Sequence, residues 1–395
     1  MIQQPSAAEE AGRLGLACEL VAKRTLDSDW LPAFEAVPRH LFVPDVIWPG
    51  SASGDRPCDR VVRGEDPAAW WTAVHTDVPI TTQWDDGAYT GPGTGKVPTC
   101  SNSMPSMVFS MLRALAVEEG GRILEIGTGT GWNAALLAHR AGGANVVTVE
   151  VDDGLAASAR SRLEAAAART GDTVPVTVVG DGADGHPALV PYSRVIATCS
   201  VERVPAQWLA QCAPGAVIVV PWGPAYGGEG IARLTVREDG SADGPFTASS
   251  AFMRLRGQRE DRPPPGAYLS RPWPGGGRRS STGLSPELVG GWSAMFAIGV
   301  RVPGLFCRTG GRRRDGSYRM WLYDTGVTSW ATADHTPGRD AYSVVQSGPR
   351  ALWDELEAAW DWWQGHGEPG FDRFTLTVSA EGEQRIALDE ESWVV

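Results

Sequence analysis

The stretch from Ile123 to Glu150, ILEIGTGTGWNAALLAHRAGGANVVTVE, constrains the fold more than any other part of the chain. Four apolar-leaning residues, Ile123 to Ile126, read as a short buried strand. A glycine loop follows at Gly127, Gly129 and Gly131, then a helix from Trp132 to about Ala141. A Gly142-Gly143 break leads into a second strand, Val146 to Val149, which ends in Glu150. Glycines are needed where a strand turns sharply into a helix and a ligand approaches bare backbone. An acid roughly 20 residues further on, at a strand's carboxyl end, is placed to accept hydrogen bonds from ribose hydroxyls. The unit is expected to bind a ribose-bearing ligand.

The same alternation of strand and helix continues. Strands are expected at Val174–Val179, Arg194–Thr198, Ala216–Val220 and Ile231–Val236, with helices at Gly154–Arg169 and Pro205–Gln211 between them. Short connections between such elements indicate an α/β, doubly wound, Rossmann-like sheet. Ahead of it lie helices near residues 8–25 and 30–35, the extended segment VPRHLFVPD (Val37 to Asp45) and a helix over Pro105–Ala116. The Gly-, Pro-, Asp- and Thr-rich residues 49–100 read as an irregular excursion with short strands. The proline- and glycine-rich Arg262–Gly283 reads as a linker. The expected division is a catalytic domain over 1–245, a linker over 246–285 and an additional α+β C-terminal domain over 286–395. In that last unit, strand-like runs are expected at Met295–Val300, Gly304–Arg308, Tyr318–Tyr323 and Ser343–Gln346. A helix over Arg350–Trp363 and a closing strand pair, Phe374–Ser379 and Gln384–Leu388, follow.

Composition excludes several function classes. A net charge of −12 argues against non-specific nucleic-acid or anionic-membrane partners. The six cysteines are scattered with no C-x-x-C pair, so neither a zinc knuckle nor a disulfide framework is supported, and no metal is expected. No run of about 18 apolar residues exists, and the N-terminus is polar rather than signal-like, so a cytoplasmic location is expected.

The glycine spacing decides among ribose ligands. A dinucleotide fingerprint, G-x-G-x-x-G, would need glycine where Trp132 stands. The pattern present, Glu125-x-Gly127-x-Gly129-x-Gly131, resembles the first motif of S-adenosylmethionine (SAM)-dependent methyltransferases, with a nicotinamide enzyme as the runner-up. Three more segments, VPRHLFVPD, NSMPSMV (Asn102 to Val108) and GDGADGHPALVPYSRVIATCSVERVP (Gly180 to Pro205), resemble the protein-L-isoaspartate O-methyltransferase family, over roughly residues 10–240. Departures are the long 49–99 excursion, Ser193 in place of the family's acid after Pro191-Tyr192, and a tail beyond about residue 245 that looks to have no counterpart in the repair enzymes. Long-tailed relatives accompany the biosynthesis of ribosomally made, modified peptides (graspetides, lasso peptides, lanthipeptides). There the enzyme esterifies an aspartate of the modified precursor, and the ester closes to an aspartimide. The chain resembles that branch most; isoaspartate repair is the alternative, and a non-catalytic SAM- or precursor-binding module is a third reading.

The resemblance implies the site. Glu125, Gly127, Thr128 and Gly129 should line the methionine and ribose of SAM, Glu150 should hold the ribose hydroxyls, and Asp181 with Gly182 should meet the adenine edge. Ser103 should sit beside the transferred methyl and hold the acceptor carboxylate, or else cap the helix at Pro105. Thr99, Ser101 and Asn102 could add donors, and Asp77 is expected to shape the acceptor pocket or cap a turn. Arg39 and His40 are expected to be structural or peptide-facing. The arginines Arg308, Arg312, Arg313, Arg314 and Arg319 suit carboxylates of an acidic precursor peptide, although a solvated hairpin over a Trp-rich core explains them as well. Trp353, Trp360 and Trp363, at near-helical spacing, belong to such a core.

Overall fold

Strand β5 (Ile123–Ile126) is buried at all four positions, as a strand covered on both faces requires. It sits at the turning point of a ten-stranded sheet. A computed structural model describes the chain over residues 7–50, 59–259, 262–269 and 276–395. Helices α1 (Ala7–Ala22) and α2 (Leu31–Ala36) come first. The excursion expected over 49–100 is a small four-stranded sheet: β1 (Val46–Pro49), β2 (Val61–Val62), β3 (Ile80–Trp84) and β4 (Pro98–Asn102) in the order β2-β1-β3-β4. It also holds a helix that the composition concealed, α3 (Pro67–Val74), whose Trp70 and Val74 pack on Ile47 and Ile80.

After α4 (Pro105–Leu115), the main sheet begins with β5, α5 (Trp132–Ala141), β6 (Val146–Glu150), α6 (Asp153–Thr170) and β7 (Val176–Val179). It continues with β8 (Tyr192–Ala197), α7 (Ala206–Ala210), β9 (Cys212–Trp222), β10 (Glu229–Val236) and β11 (Ala242–Ser250). Strands β7-β6-β5-β8-β9 run parallel. The chain leaves β5 for β6 on one side and comes back to β8 on the other, so the carboxyl end of β5 is the switch point where doubly wound sheets bind ligands.

Residues from α1, α2, α4, α5 and α6 form a core on one face of this sheet. A larger core on the other face is shared with the C-terminal part. That part contains β12 (Arg278–Thr282), α8 (Trp292–Arg301), β13 (Leu305–Thr309), β14 (Tyr318–Asp324), β15 (Trp330–His335) and β16 (Tyr342–Ser347). The five strands form an antiparallel sheet in the order β12-β16-β15-β14-β13. Helix α9 (Leu352–Gly365) follows and buries Trp353, Trp360 and Trp363.

Three expectations are corrected here. Met295–Val300 is helical within α8, not a strand. The run is apolar on nearly every side, and periodicity cannot separate a buried helix from a buried strand in so short a segment. The closing strands do not stay in the C-terminal unit: β17 (Phe374–Val378) pairs with β11, and β18 (Gln384–Leu388) and β19 (Glu391–Val394) complete the main sheet. The expected linker over 246–285 is partly structured, since it takes in the end of β11 and all of β12, with residues 260–261 and 270–275 outside the described residues. Phe296 of α8 meets Trp222, Phe246, Phe371 and Phe374 at ring separations of 5.9, 5.0, 4.8 and 5.2 Å, joining the two parts in one apolar cluster. No helix among the described residues is long and apolar enough to cross a membrane.

Candidate active site

A cleft of about 1050 Å³, partly continuous with solvent, opens at the carboxyl end of β5. Its floor is the glycine loop. Gly129 has φ +53, and its backbone N–H donates to Glu150 Oε2 at 2.9 Å. The other oxygen, Oε1, accepts from the Asp152 backbone N–H at 3.1 Å. Glu150 is therefore fixed at the wall by two backbone donors, which leaves lone pairs of the carboxylate for a ligand. Thr128, Gly127 and Gly182 line the same space, as does Asp181, whose Oδ1 accepts from Ala183 N–H at 2.9 Å. Only glycine fits at 182, because a Cβ there would lie 2.5 Å from Ile126 Cγ2.

Glu125 is not on the cleft wall. It lies fully buried beneath the loop, accepting from Asn133 Nδ2 at 2.7 Å and Thr148 Oγ1 at 2.5 Å. Thr148 Oγ1 is itself 2.6 Å from Thr128 Oγ1, so Glu125 braces the loop through Thr148. Burial pushes its carboxyl up to about 7, against the pull of the Thr148 and Asn133 hydrogen bonds.

The segment expected to face the acceptor, Thr99 to Ser103, lines the cleft with all five of its residues. Its position depends on Arg39, which is buried and threads between three segments. Its guanidinium donates to Asn102 Oδ1 at 2.6 Å and to the carbonyls of Asn102 (3.2 Å), Ser103 (3.0 Å), Val78 (2.9 Å), Thr76 (3.1 Å) and Val74 (3.2 Å). Burial lowers Arg39 to about 9. Asn102 passes the link on, donating from Nδ2 to Thr130 Oγ1 at 2.9 Å in the glycine loop. The Ser103 hydroxyl makes no hydrogen bond among the described residues.

Two expected roles are not realised. Ser103 does not cap α4: Met104 holds that position without a side-chain bond. Asp77 does the capping from another segment, with Oδ1 accepting from Ser106 N–H at 2.8 Å and Oδ2 paired to Lys23 at 2.7 Å. Asp77 is thus a structural brace behind Ser103 and does not line the cleft.

The sequence reading missed the opposite rim, where Phe252 to Arg256 and Arg259 line the cleft. Three of the five tail arginines, in contrast, are spent internally. Arg312 pairs with Glu287 at 2.7 Å, Arg319 with Asp334 at 2.6 Å, and Arg308 donates to the Arg262 carbonyl at 3.1 Å. Arg313 and Arg314 remain exposed on their loop.

The volume, the bare glycine backbone and a fixed carboxylate facing the cavity suit a nucleoside-bearing cofactor such as SAM. Comparisons with known proteins agree. The family model for protein-L-isoaspartate(D-aspartate) O-methyltransferase matches residues 75–260. A protein-L-isoaspartate O-methyltransferase of Methylorubrum extorquens (strain PA1) is 33% identical over 233 residues, 59% of this chain and 82% of that protein. One from Thermococcus onnurineus (strain NA1) is 36% identical over 156 residues, 40% of this chain and 69% of that protein. A solved protein-L-isoaspartate O-methyltransferase matches with a TM-score of 0.52 at 20% identity, covering 95% of this chain and 99% of that one. At that identity the likeness concerns the fold alone. It nevertheless runs through the C-terminal part, and so overturns the expectation that the tail has no counterpart. With the Methylorubrum protein matched over well beyond two thirds of its length, this chain belongs to the protein-L-isoaspartate O-methyltransferase family and is a SAM-dependent carboxyl methyltransferase.

Proposed function

We propose that the enzyme methylates the free carboxyl of an isoaspartyl residue in a peptide or protein. The observation that carries this reading is the meeting of the Thr99–Ser103 segment with the glycine loop and Glu150 at one cleft, inside the segment that matches the family model. SAM supplies a methyl group already electrophilic on its sulfonium. The free carboxyl of an isoaspartyl residue is an α-carboxyl, of unperturbed pKa roughly 3.3–3.7, so at neutral pH it is already ionised and needs no general base. What remains for the protein is alignment and exclusion of water, and alignment alone can lower such a barrier by roughly 7–11 kcal/mol. Ser103 Oγ donates to the acceptor carboxylate, with Ser101 as a further donor. On the cofactor side, Glu150 takes the ribose hydroxyls, Gly127 to Gly129 the methionine part, and Asp181 with Gly182 the adenine edge.

A second reading is esterification of an ordinary aspartate in a ribosomally made, modified precursor peptide. A neighbouring backbone amide nitrogen then attacks the ester, methanol leaves, and an aspartimide forms. What supports it is the sequence resemblance to relatives that act on such precursors. Intact-mass analysis with SAM tests both readings on two substrates, a short isoaspartyl peptide and a modified precursor encoded beside the gene. Methyl gain on the isoaspartyl peptide supports the first reading. Methyl gain followed by methanol loss on the precursor alone supports the second.

A further inference from the structure

Beyond β11 the chain follows the rim of the cleft, where Arg254, Arg256 and Arg259 all line it. Arg254 is committed to the Gly223 carbonyl at 3.0 Å. Arg256 and Arg259 both reach the opposite lip and converge on a single carboxylate, Asp86, at 2.9 and 2.8 Å. Arg256 lies 3.6 Å from one further acid, Asp152. Asp86 is held in left-handed backbone, at φ +52, with its N–H donating to Thr99 Oγ1 at 3.1 Å on the acceptor side.

Several features mark this as more than a clamp. Two guanidiniums share one carboxylate that is 46% exposed, and a pair so open to water stabilises a fold little. Arg256 Nε is buried with no hydrogen-bond partner among the described residues. A guanidinium fork is the side chain best shaped for a planar carboxylate. The donors line the same cleft as the Thr99–Ser103 segment, and their partner Asp86 is bonded to Thr99.

We propose that Arg256 and Arg259 are specificity-determining residues, binding a second carboxylate of the acceptor peptide on a residue next to the one methylated. Asp86 holds them in its absence. The inference rests on the reading that the acceptor is a peptide carboxylate. An acidic peptide exchanges its carboxylate for that of Asp86, which moves to water at small cost because it is already half exposed. Interactions of this kind at a rim act on encounter and affinity rather than on the chemical step.

The test compares two short isoaspartyl peptides that differ only in having Glu or Gln beside the isoaspartate, using the full-length enzyme and SAM. The wild-type enzyme is expected to favour the Glu peptide about tenfold in kcat/KM, the worth of one charged hydrogen bond. The preference should reside in KM and fade with added salt. The double substitution Arg256→Gln with Arg259→Gln should bring the ratio close to one, and Asp86→Asn should raise it. A wild-type enzyme without preference, a double variant that keeps it, or a preference carried by kcat overturns the proposal. Should the double variant not fold, the salt dependence and Asp86→Asn decide alone. Failure of the isoaspartyl reading looks different, because neither peptide is then methylated. Calorimetric titration of both peptides into the S-adenosylhomocysteine complex, wild type against Asp86→Asn, then reads the same preference without turnover.

Discussion

Arg39 donates to Asn102 Oδ1 at 2.6 Å, and through that bond the short 3-10 turn Arg39–Leu41, expected to be extended, sets the Thr99–Ser103 lip of the cleft. The same guanidinium satisfies five backbone carbonyls, so its removal leaves several buried acceptors without a donor. Arg39→Met should cost about 3–5 kcal/mol of stability, the range for breaking a buried charged network. Urea denaturation measures this directly; a loss under about 1 kcal/mol would mean that water replaces the guanidinium.

Glu150 is expected to weaken SAM binding when shortened. Glu150→Ala removes the carboxylate proposed for the ribose and also the acceptor that holds Gly129 N–H. A loss of about 1.5–3 kcal/mol, roughly ten- to hundredfold in Kd, follows from the value of charged hydrogen bonds. Calorimetry with S-adenosylhomocysteine reads it, and an unchanged Kd would take Glu150 out of the cofactor site.

Ser103→Ala should act elsewhere. Turnover is expected to fall about ten- to a hundredfold, with cofactor affinity within about twofold of wild type, as for loss of one positioning hydrogen bond. If cofactor binding is what falls, Ser103 belongs to the other half of the cleft.

Asp77→Ala separates brace from binding. It removes the bond to Ser106 N–H and the partner of Lys23, and caps of this kind are worth about 0.5–2 kcal/mol. Thermal melts should therefore shift down. KM for the peptide, measured well below the melting transition, should stay close to wild type if Asp77 only supports α4.

Glu125 gives the fold a pH dependence of definite sign. Its carboxyl is raised from 4.5 to about 7 by burial, so between those values the folded chain holds a proton that the unfolded chain releases. Stability from this group is complete below the unfolded value and falls as pH rises through about 7. The fall is of the order of 3 kcal/mol at most, at about 1.4 kcal/mol per pH unit. Glu125→Gln should flatten it, which urea melts across that range would show; parallel wild-type and variant curves would place the charge elsewhere.

What the sequence revealed and what it hid divide along the range of the interactions. Helix α5 occupies Trp132–Ala141, as expected, because Gly131 before it and Gly142 after it are local signals. The glycine loop and Glu150 were legible for the same reason. Arg39 was recognisable as part of a motif, but its work depends on residues 74–78 and 102–103 converging on it. Asp77 read as a pocket residue because nothing near it in sequence announces Ser106 as its partner. The rim at 252–259 read as part of a linker, and its place at the cleft follows from the position of β11, a non-local fact. Helix α8 was misread for a simpler reason: an apolar run of that length suits either kind of element.

Strand β11 leads into the rim arginines, and among the described residues its other edge pairs with β17 over Ala242–Pro245. During synthesis, then, the cleft's strands and its arginine rim are made well before the residues that secure them. A ribosome-bound chain lacking residues 374–378 presents the bare edge of β11 to its neighbours. Strands β17 to β19, made after the cleft, thus extend the sheet on which the active site hangs.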